Sequence, residues 1–324
     1  MGQLVDGKWL GGDHRQIGAS GWEPRQEHLK GYVKAAPAES GAEFQAEAGR
    51  YHLIECPGCP MAQRVAILHR LKGLKQVIST SRVRPIMGPN GREFGTRDQA
   101  AKDDATGFRY LYELYLATSP AYTGRASTPV LWDKQQHKIV SNAYSDIFGM
   151  INAEFDAFTD VDLDLRPADL APALSEMLAY LGAGFVAAVY RCGFAREQSV
   201  YDDNIARIAK TVPELNRLLE DQPFLLGDRM TEADLVLFTS LIRFDAIYIP
   251  LFQCSAVRIE DFPALTGFIE RIFALPGVAE TFDLEDAMVH YYGSHAHINP
   301  TRIVPVPPRL SWLPAAGGLR AAAA

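Results

Sequence analysis

One stretch constrains this chain more than any other, Arg50-Tyr-His-Leu-Ile-Glu-Cys-Pro-Gly-Cys-Pro-Met-Ala-Gln-Arg64. Tyr51 to Ile54 has the aromatic and β-branched character of a buried strand, and Val65, Leu68, Leu71 and Leu74 recur at helical spacing after a break at Cys56 to Pro60. The pattern predicts a strand, a tight turn and a helix. Cys59 falls just before the first helical position. Pro60 suits that position, because the N–H it lacks would have no partner within the helix. A thiol placed there faces unpaired backbone N–H groups and the positive end of the helix dipole, both of which favour its anion. Cys59 is therefore the candidate nucleophile.

Cys56-Pro-Gly-Cys59 also spells the dithiol pattern of redox proteins and half of a zinc site. The remaining cysteines, Cys192 and Cys254, make no second Cys-x-x-Cys, so no metal is expected. In thioredoxin-like dithiols the nucleophile is the first cysteine, at the helix start, whereas here the first cysteine lies on the strand side. Cys56 either resolves an oxidised Cys59 or is simply packed. Cys192 and Cys254 sit in apolar or mixed surroundings and are expected to be packed. His52, His69, His290 and His295 are scattered; the last two are expected to orient the Tyr291 loop rather than bind metal.

A chain of 324 residues, 48% hydrophobic, can bury a sizeable core and suggests two domains. A net charge of −7 gives no footprint for nucleic acid. No stretch approaches the roughly 20 apolar residues of a membrane span, and Met1-Gly-Gln-Leu-Val-Asp-Gly-Lys8 lacks a signal peptide's apolar core. Four cysteines in such a length make no disulfide framework, which suits a reducing compartment. A cytoplasmic protein without nucleic-acid or membrane partners is expected.

Taken in order, residues 1–49 read as an extended arm with scattered aromatics (Trp9, Trp22, Tyr32). Val77 to Arg84 is a second strand, Pro85 to Asp104 an exposed loop and Gly107 to Ala117 a helix. Ser127 to Asp133 is strand-like but carries Pro129, which a central strand tolerates poorly and which invites a cis peptide that leaves the Thr128 backbone free for a ligand. Lys138 to Val140 is a strand, and Ser141-Asn142 caps a helix over Tyr144 to Phe155. This order, βαβ, α, ββα, is thioredoxin-like. Thr159 to Pro167 is acidic and linker-like. Beyond it helical periods dominate, over Leu170 to Cys192, Arg196 to Glu220, Glu232 to Phe244, Phe262 to Ala274 and Glu285 to Tyr291. Thr231-Glu-Ala-Asp234 opens one of them as a capping box. Ile298 to Ala324 is Pro-rich, then Ala/Gly-rich, with a mobile end expected.

These residues bring out a resemblance. A thioredoxin-like half with an active-site Cys-Pro followed by an all-helical half resembles the glutathione transferases. Several stretches are closer to one branch, the glutathionyl-hydroquinone reductases or Xi-class transferases. They are Gly49-Arg-Tyr-His-Leu53, Cys59-Pro60 with Ala62 and Arg64, Lys72-Gly-Leu74, Pro129-Val-Leu-Trp-Asp133, Gly227 to Asp234, Arg243-Phe-Asp245 and Pro276 to Thr281. His290-Tyr-Tyr-Gly-Ser-His295, with Ile298-Asn-Pro-Thr301 and Ile303-Val-Pro305, is specific to that branch. The resemblance runs from about Val5 to Pro308. It implies an arm (1–49), a thioredoxin-like thiol-binding domain (50–158), an all-helical substrate domain (167–291) and a C-terminal extension (292–324), assembled as a homodimer.

It further implies that the Cys59 thiolate attacks the sulfur of a thiol-hydroquinone thioether, that the hydroquinone leaves, and that a second thiol frees Cys59. The family's proton-donating tyrosine matches Tyr190, and the two tyrosines that stabilise the thiolate match Tyr248 and Tyr291. The residue types suit the chemistry. A phenolate leaving group and a tyrosine hydroxyl both have pKa values near 10, so proton transfer between them is nearly thermoneutral.

Three positions depart from the family, all on the thiol-binding surface. Met61 stands for a tryptophan beside the sulfur, Arg92 for a tryptophan of the loop after the second strand, and Ala143-Tyr144 for Glu-Ser. Losing that carboxylate would cost about 1.5 to 3 kcal/mol, roughly ten- to a hundredfold in affinity. Ser127, the backbone site at Thr128-Pro129 and the guanidinium of Arg125 remain. Either glutathione binds through Arg92, Arg125, Tyr144 and Asp146, or the cofactor is another low-molecular-weight thiol such as mycothiol. The readings are a reductase of thiol-hydroquinone or similar aromatic thioethers, a general thiol transferase acting on disulfides or dehydroascorbate, and a non-catalytic ligand-binding member of the fold.

Overall fold

The computed structural model describes residues 2–12, 29–35 and 43–313. Trp22 of the expected arm, and the expected mobile end from residue 314 on, lie outside the described residues. Packing divides the chain into two units, one of residues 1–15, 25–163 and 280–282, the other of residues 16–24, 164–279 and 283–324.

The first unit is built on a four-stranded mixed sheet. Two short ribbons precede it: β1 (Gln3–Val5) pairs antiparallel with β2 (Lys8–Leu10), and β3 (Val33–Lys34) pairs parallel with β4 (Phe44–Gln45). These strands occupy the stretch read from sequence as an arm without regular structure. Leu4 is fully buried and Trp9 stacks on Tyr112 at 4.8 Å, so two- and three-residue strands are held by packing that periodicity does not register. Then come β5 (Tyr51–Glu55), α1 (Pro60–Leu71), β6 (Ser79–Arg82), α2 (Leu111–Thr118), β7 (Val130–Asp133), β8 (Lys138–Ser141) and α3 (Tyr144–Gly149). The sheet order is β6-β5-β7-β8, with β5 parallel to β6 and antiparallel to β7, and β8 antiparallel to β7. All five residues of β5 are buried, as suits a strand covered on both faces.

Several local expectations shift. β7 is central, and it starts one residue after Pro129, which keeps the missing N–H out of the ladder. The segment 85–104 is mostly exposed or half-buried, as expected of a loop, but isolated bridges tie it down: Val83 pairs with Phe94 and Glu93 with Tyr110, and Phe94 is buried. The cap of α3 is Ala143 rather than Ser141-Asn142, and Ser141 Oγ instead accepts from the Ala143 N–H at 3.1 Å. α3 stops at Gly149 and continues as a π-helical turn, Met150–Glu154. α1 ends at Lys72 because Gly73 takes φ 66°, a left-handed turn that glycine makes without strain.

The main elements of the second unit's described residues are helices: α4 (Ala171–Leu181), α5 (Ala187–Phe194), α6 (Gln198–Glu220), α7 (Glu232–Arg243), α8 (Ile249–Phe252), α9 (Pro263–Phe273) and α10 (Leu284–Ser294). The helix expected over Leu170 to Cys192 is interrupted by a π turn at Gly182–Val186, and α7 runs into another at Phe244–Tyr248. The capping box forms as expected: the Asp234 carboxylate accepts from Thr231 N at 2.7 Å, and the Thr231 side chain caps the helix in return. Contrary to the expectation from composition, two helical runs, Ala168–Phe194 and Glu232–Phe252, are long and apolar enough to span a membrane by length and composition alone. The apolar window of Glu232–Phe252 is 78% buried, as a core helix would be, while that of Ala168–Phe194 is 28% buried.

Candidate active site

Cys59 is the N-cap of α1, with extended backbone (φ −87°, ψ 115°) and Pro60 at N1. The N–H of Gln63 donates to the Cys59 carbonyl at 3.0 Å, the first bond of the helix. The Cys59 thiol makes no side-chain cap on the amides behind it. It donates instead to the Thr128 carbonyl at 3.8 Å, next to the cis Thr128-Pro129 peptide. Cys59 is half-buried and packs on the core that contains Ile54, Tyr115 and Trp132.

The loop that carries Thr128 is held one residue earlier, at Ser127, by a buried side chain of α2. Tyr115, fully buried on α2, donates its hydroxyl to the Ser127 carbonyl at 2.8 Å and accepts from Ser127 N at 2.9 Å and Asn142 Nδ2 at 3.1 Å. Asn142 in turn accepts from Leu29 N at 2.8 Å. Tyr115 therefore positions the loop against Cys59. Its place at helical spacing among Leu111 and Leu114 reads only as core, and no local signal marks its hydroxyl.

The other residues expected to hold a thiol ligand take separate places in this unit. Ser127 and Thr128 are buried, and the Thr128 hydroxyl oxygen is buried without a hydrogen-bond partner among the described residues. Arg125 is half-buried in the same loop. Ala143 caps α3 and Tyr144 opens it, with the Arg64 guanidinium 5.6 Å from the Tyr144 ring centre. The first turn of α3 carries one carboxylate, Asp146. Arg92 turns to the thiol of the dithiol motif: its Nη1 lies 2.8 Å from the Cys56 sulfur. Cys56 is 2% exposed, and burial pushes its thiol up, partly offset by the Arg92 charge.

In the helical unit the three tyrosines meet at their hydroxyls. Tyr190 on α5 lies 2.6 Å from Tyr291 on α10, and Tyr291 lies 3.3 Å from Tyr248, the last residue of the π turn after α7. Tyr190 is half-buried, while Tyr248 and Tyr291 are buried. Burial raises the Tyr291 hydroxyl well above the usual phenol range; the neighbouring tyrosines push the same way and Arg243 opposes them. Phe252 packs against all three rings at 5.5 to 5.8 Å. Glycine is required opposite it, because a Cβ on Gly193 would stand 2.3 Å from the Phe252 ring. His295 stacks on Tyr291 and its Nδ1 is 2.8 Å from the Tyr291 carbonyl, and His290 packs edge-on to the same ring. One π turn directly upstream of α5 and another that ends at Tyr248 set the helix phase that aims Tyr190 and Tyr248. Such turns leave no mark in the periodicity.

Among the described residues, no group of three or more His, Cys, Asp or Glu side chains is arranged to hold a metal ion. The arrangement offers a half-open thiol at a helix start and, separately, a chain of three phenols able to donate or relay a proton.

Residues 198–271 match the family model of the glutathione S-transferase C-terminal domain. The chain is 39% identical over 309 residues to the glutathionyl-hydroquinone reductase PcpF of Sphingobium chlorophenolicum, covering 95% of this chain and 96% of that one. The glutathione-bound structure of YqjG, a glutathione transferase homologue from Escherichia coli K-12, superposes with a TM-score of 0.85 at 36% identity, covering 96% of this chain and 97% of that chain. A Xi-class transferase from Natrialba magadii gives a TM-score of 0.86 at 35% identity over 96% of this chain and 94% of its own. With a thioredoxin-like unit carrying a Cys-Pro helix start, a helical transferase unit and relatives matched over nearly their full length, this chain belongs to the Xi-class glutathione transferases, the family of the glutathionyl-hydroquinone reductases.

Proposed function

We propose that the protein is a thiol-dependent reductase that removes a small thiol from a hydroquinone or similar aromatic thioether. The Cys59 sulfur attacks the thioether sulfur of the keto tautomer, in which the sulfur-bearing ring carbon already holds a hydrogen; a new S–S bond forms, the carbon–sulfur bond breaks and the electron pair passes through the ring to oxygen as the phenolate. Tyr190 supplies the proton, with Tyr291 and Tyr248 behind it to share the negative charge through their hydroxyls. Residues 50–158 would bind the thiol and 167–291 the aromatic.

The observation that carries this reading over general disulfide exchange is the Tyr190–Tyr291–Tyr248 hydroxyl chain. Disulfide exchange releases a thiolate that needs no phenol donor. Tyr190→Phe is therefore expected to slow thioether cleavage by about 10² to 10⁴-fold while leaving thiol–disulfide exchange within a small factor of wild type. Equal activity of the variant on both reactions would overturn the reading.

For the small thiol, Ser127, Thr128-Pro129 and Arg125 supply backbone and guanidinium partners of the kind a glutathione-binding relative would use, and the bacterial relative's structure contains glutathione. A second reading rests on Ala143-Tyr144, neither of them a carboxylate, at the start of α3, and on Arg92 being engaged at Cys56. These features suit a thiol without a γ-glutamyl group, such as mycothiol. Calorimetric titration with both thiols decides between them: tight glutathione binding with none for mycothiol would end the second reading. A cytoplasmic homodimer is proposed on family membership, and sedimentation equilibrium checks the assembly.

A further inference from the structure

The inference concerns Cys56 and rests on the reading of Cys59 as nucleophile. We propose that Cys56 is a resolving thiol: it attacks the Cys59 mixed disulfide, forms a Cys56–Cys59 disulfide and releases the small thiol, with Arg92 as the positioning counter-charge. Three observations carry it.

The first is reach. The Cys59 N–H donates to the Cys56 carbonyl at 3.1 Å, closing a four-residue turn. Turn ends lie within about 7 Å Cα to Cα, and disulfides span about 4.4 to 6.8 Å, so the pair needs little backbone movement to join. The second is the partner. A cysteine packed only as a small hydrophobe needs no cation, yet Arg92 Nη1 stands 2.8 Å from the Cys56 sulfur, and a guanidinium stays charged at any working pH. The third is a small cavity of about 10 Å³, walled in part by Cys56, Gln63 and Thr281, so the Cys56 side chain is not packed on every face.

The electrostatics place the steps in order. Burial pushes the Cys56 thiol up, Arg92 draws it down, and the charge on Cys59 pushes it up again. Once Cys59 carries the small thiol, the contribution of its charge is gone while the Arg92 pull remains, so Cys56 is a better nucleophile in the mixed disulfide than in the free protein. In the exchange the Cys56–Cys59 bond forms as the bond from Cys59 to the small thiol breaks. The electron pair leaves on the small thiolate, which takes up the proton that Cys56 lost. Two further small thiols then reduce the protein disulfide and are themselves oxidised to their disulfide.

The test uses a disulfide that needs no built binding site, dithiobis-nitrobenzoate, mixed with the reduced full-length protein in equimolar amount and followed by absorbance and intact mass. The wild type is expected to release two thionitrobenzoate anions in successive phases and to end without adduct, lighter by two hydrogens, with the bond located between Cys56 and Cys59 in the peptide spanning Tyr51 to Arg64. Cys56→Ser is expected to release one anion and keep a stable adduct, and Arg92→Gln, which retains both thiols, to slow the second phase about tenfold or more. A wild type that keeps its adduct overturns the role of Cys56 and leaves Cys59 intact. An Arg92→Gln variant with an unchanged second phase overturns the role of Arg92. A Cys59→Ser variant that reacts as fast as wild type overturns the underlying nucleophile instead.

Discussion

The molecule holds two pairs of cysteines, one in each unit, and they are opposites. Cys56 and Cys59 bracket a turn at the open start of α1; one thiol is half-exposed, and the other faces a guanidinium. Cys192 and Cys254 lie 5% and 0% exposed among the aromatics beside Tyr190. Cys254 donates toward the Val189 and Phe252 carbonyls, at 3.9 and 3.8 Å, and burial raises it well above the usual thiol range, while the hydrogen bond from Cys254 draws Cys192 down. Four sulfurs of one chemical type thus divide into a pair of which Cys59 is given access and the buried Cys56 positive charge, and a pair given carbonyl acceptors and a dry core. The environment, not the residue, decides which is a reagent.

The comparison breaks most sharply on activity. Cys59→Ser is expected to lower thioether reduction by at least about 10³-fold, whereas Cys192→Ala and Cys254→Ala stay within a few-fold, measured as kcat/KM on purified variants. Alkylation of the native protein by iodoacetamide, followed by peptide mass spectrometry, gives the same contrast in access. Cys59 is expected to label on the order of 10³ times faster than Cys254, whose labelling awaits local opening. Comparable rates would refute the division.

Acid sharpens the contrast between units. His69, fully buried on α1, is held down to about 4 by burial and by Arg70, so the unfolded chain binds a proton first as pH falls. The sheet unit should lose stability between pH 6.5 and 4, by on the order of 3 kcal/mol, and keep it above pH 6.5. Asp234 in the helical unit is pushed up to about 6 by burial against the amides that hold it, so there the folded state takes the proton first and acid between pH 6 and 4 favours folding. Hydrogen exchange resolved by unit checks the opposite signs, and His69→Gln should flatten the first slope.

Two smaller effects probe the packing behind each pair. Gly193→Ala drives a methyl into Phe252, whose carbonyl accepts from Cys254. A destabilisation of about 1 to 3 kcal/mol with faster Cys254 labelling is expected. Tyr115→Phe removes the hydroxyl that holds Ser127 and should cost about 1 to 2 kcal/mol in thermal unfolding. KM for the thiol substrate should rise more than kcat falls, as the Thr128 carbonyl loosens beside Cys59.

What could be read before any coordinates follows a simple line. The start of α1 at Cys59-Pro60, the cis bond before Pro129 and the Thr231–Asp234 box are encoded by neighbours in sequence, and each appears where its residues stand. The cap of α3 falls one to two residues later than expected, because Ser141 and Asn142 are equally good caps in isolation, while a local bond to Ala143 engages the first and tertiary bonds to Tyr115 and Leu29 engage the second. The short ribbons before β5 were missed because two or three residues carry no period.

The sequence by itself determined a strand, a turn and a proline-led helix that present Cys59, and through its motifs the family, because those features depend on backbone preferences within a few residues. Only the tertiary structure decided that Arg92 meets Cys56, that Tyr115 grips Ser127, that Cys192 pairs with Cys254 and that three tyrosines from separate helices join their hydroxyls. Those partners stand 36, 12, 62 and up to 101 positions apart in the chain. No local preference specifies such meetings; they are set by how helices are phased and packed to bury their apolar faces, π turns included.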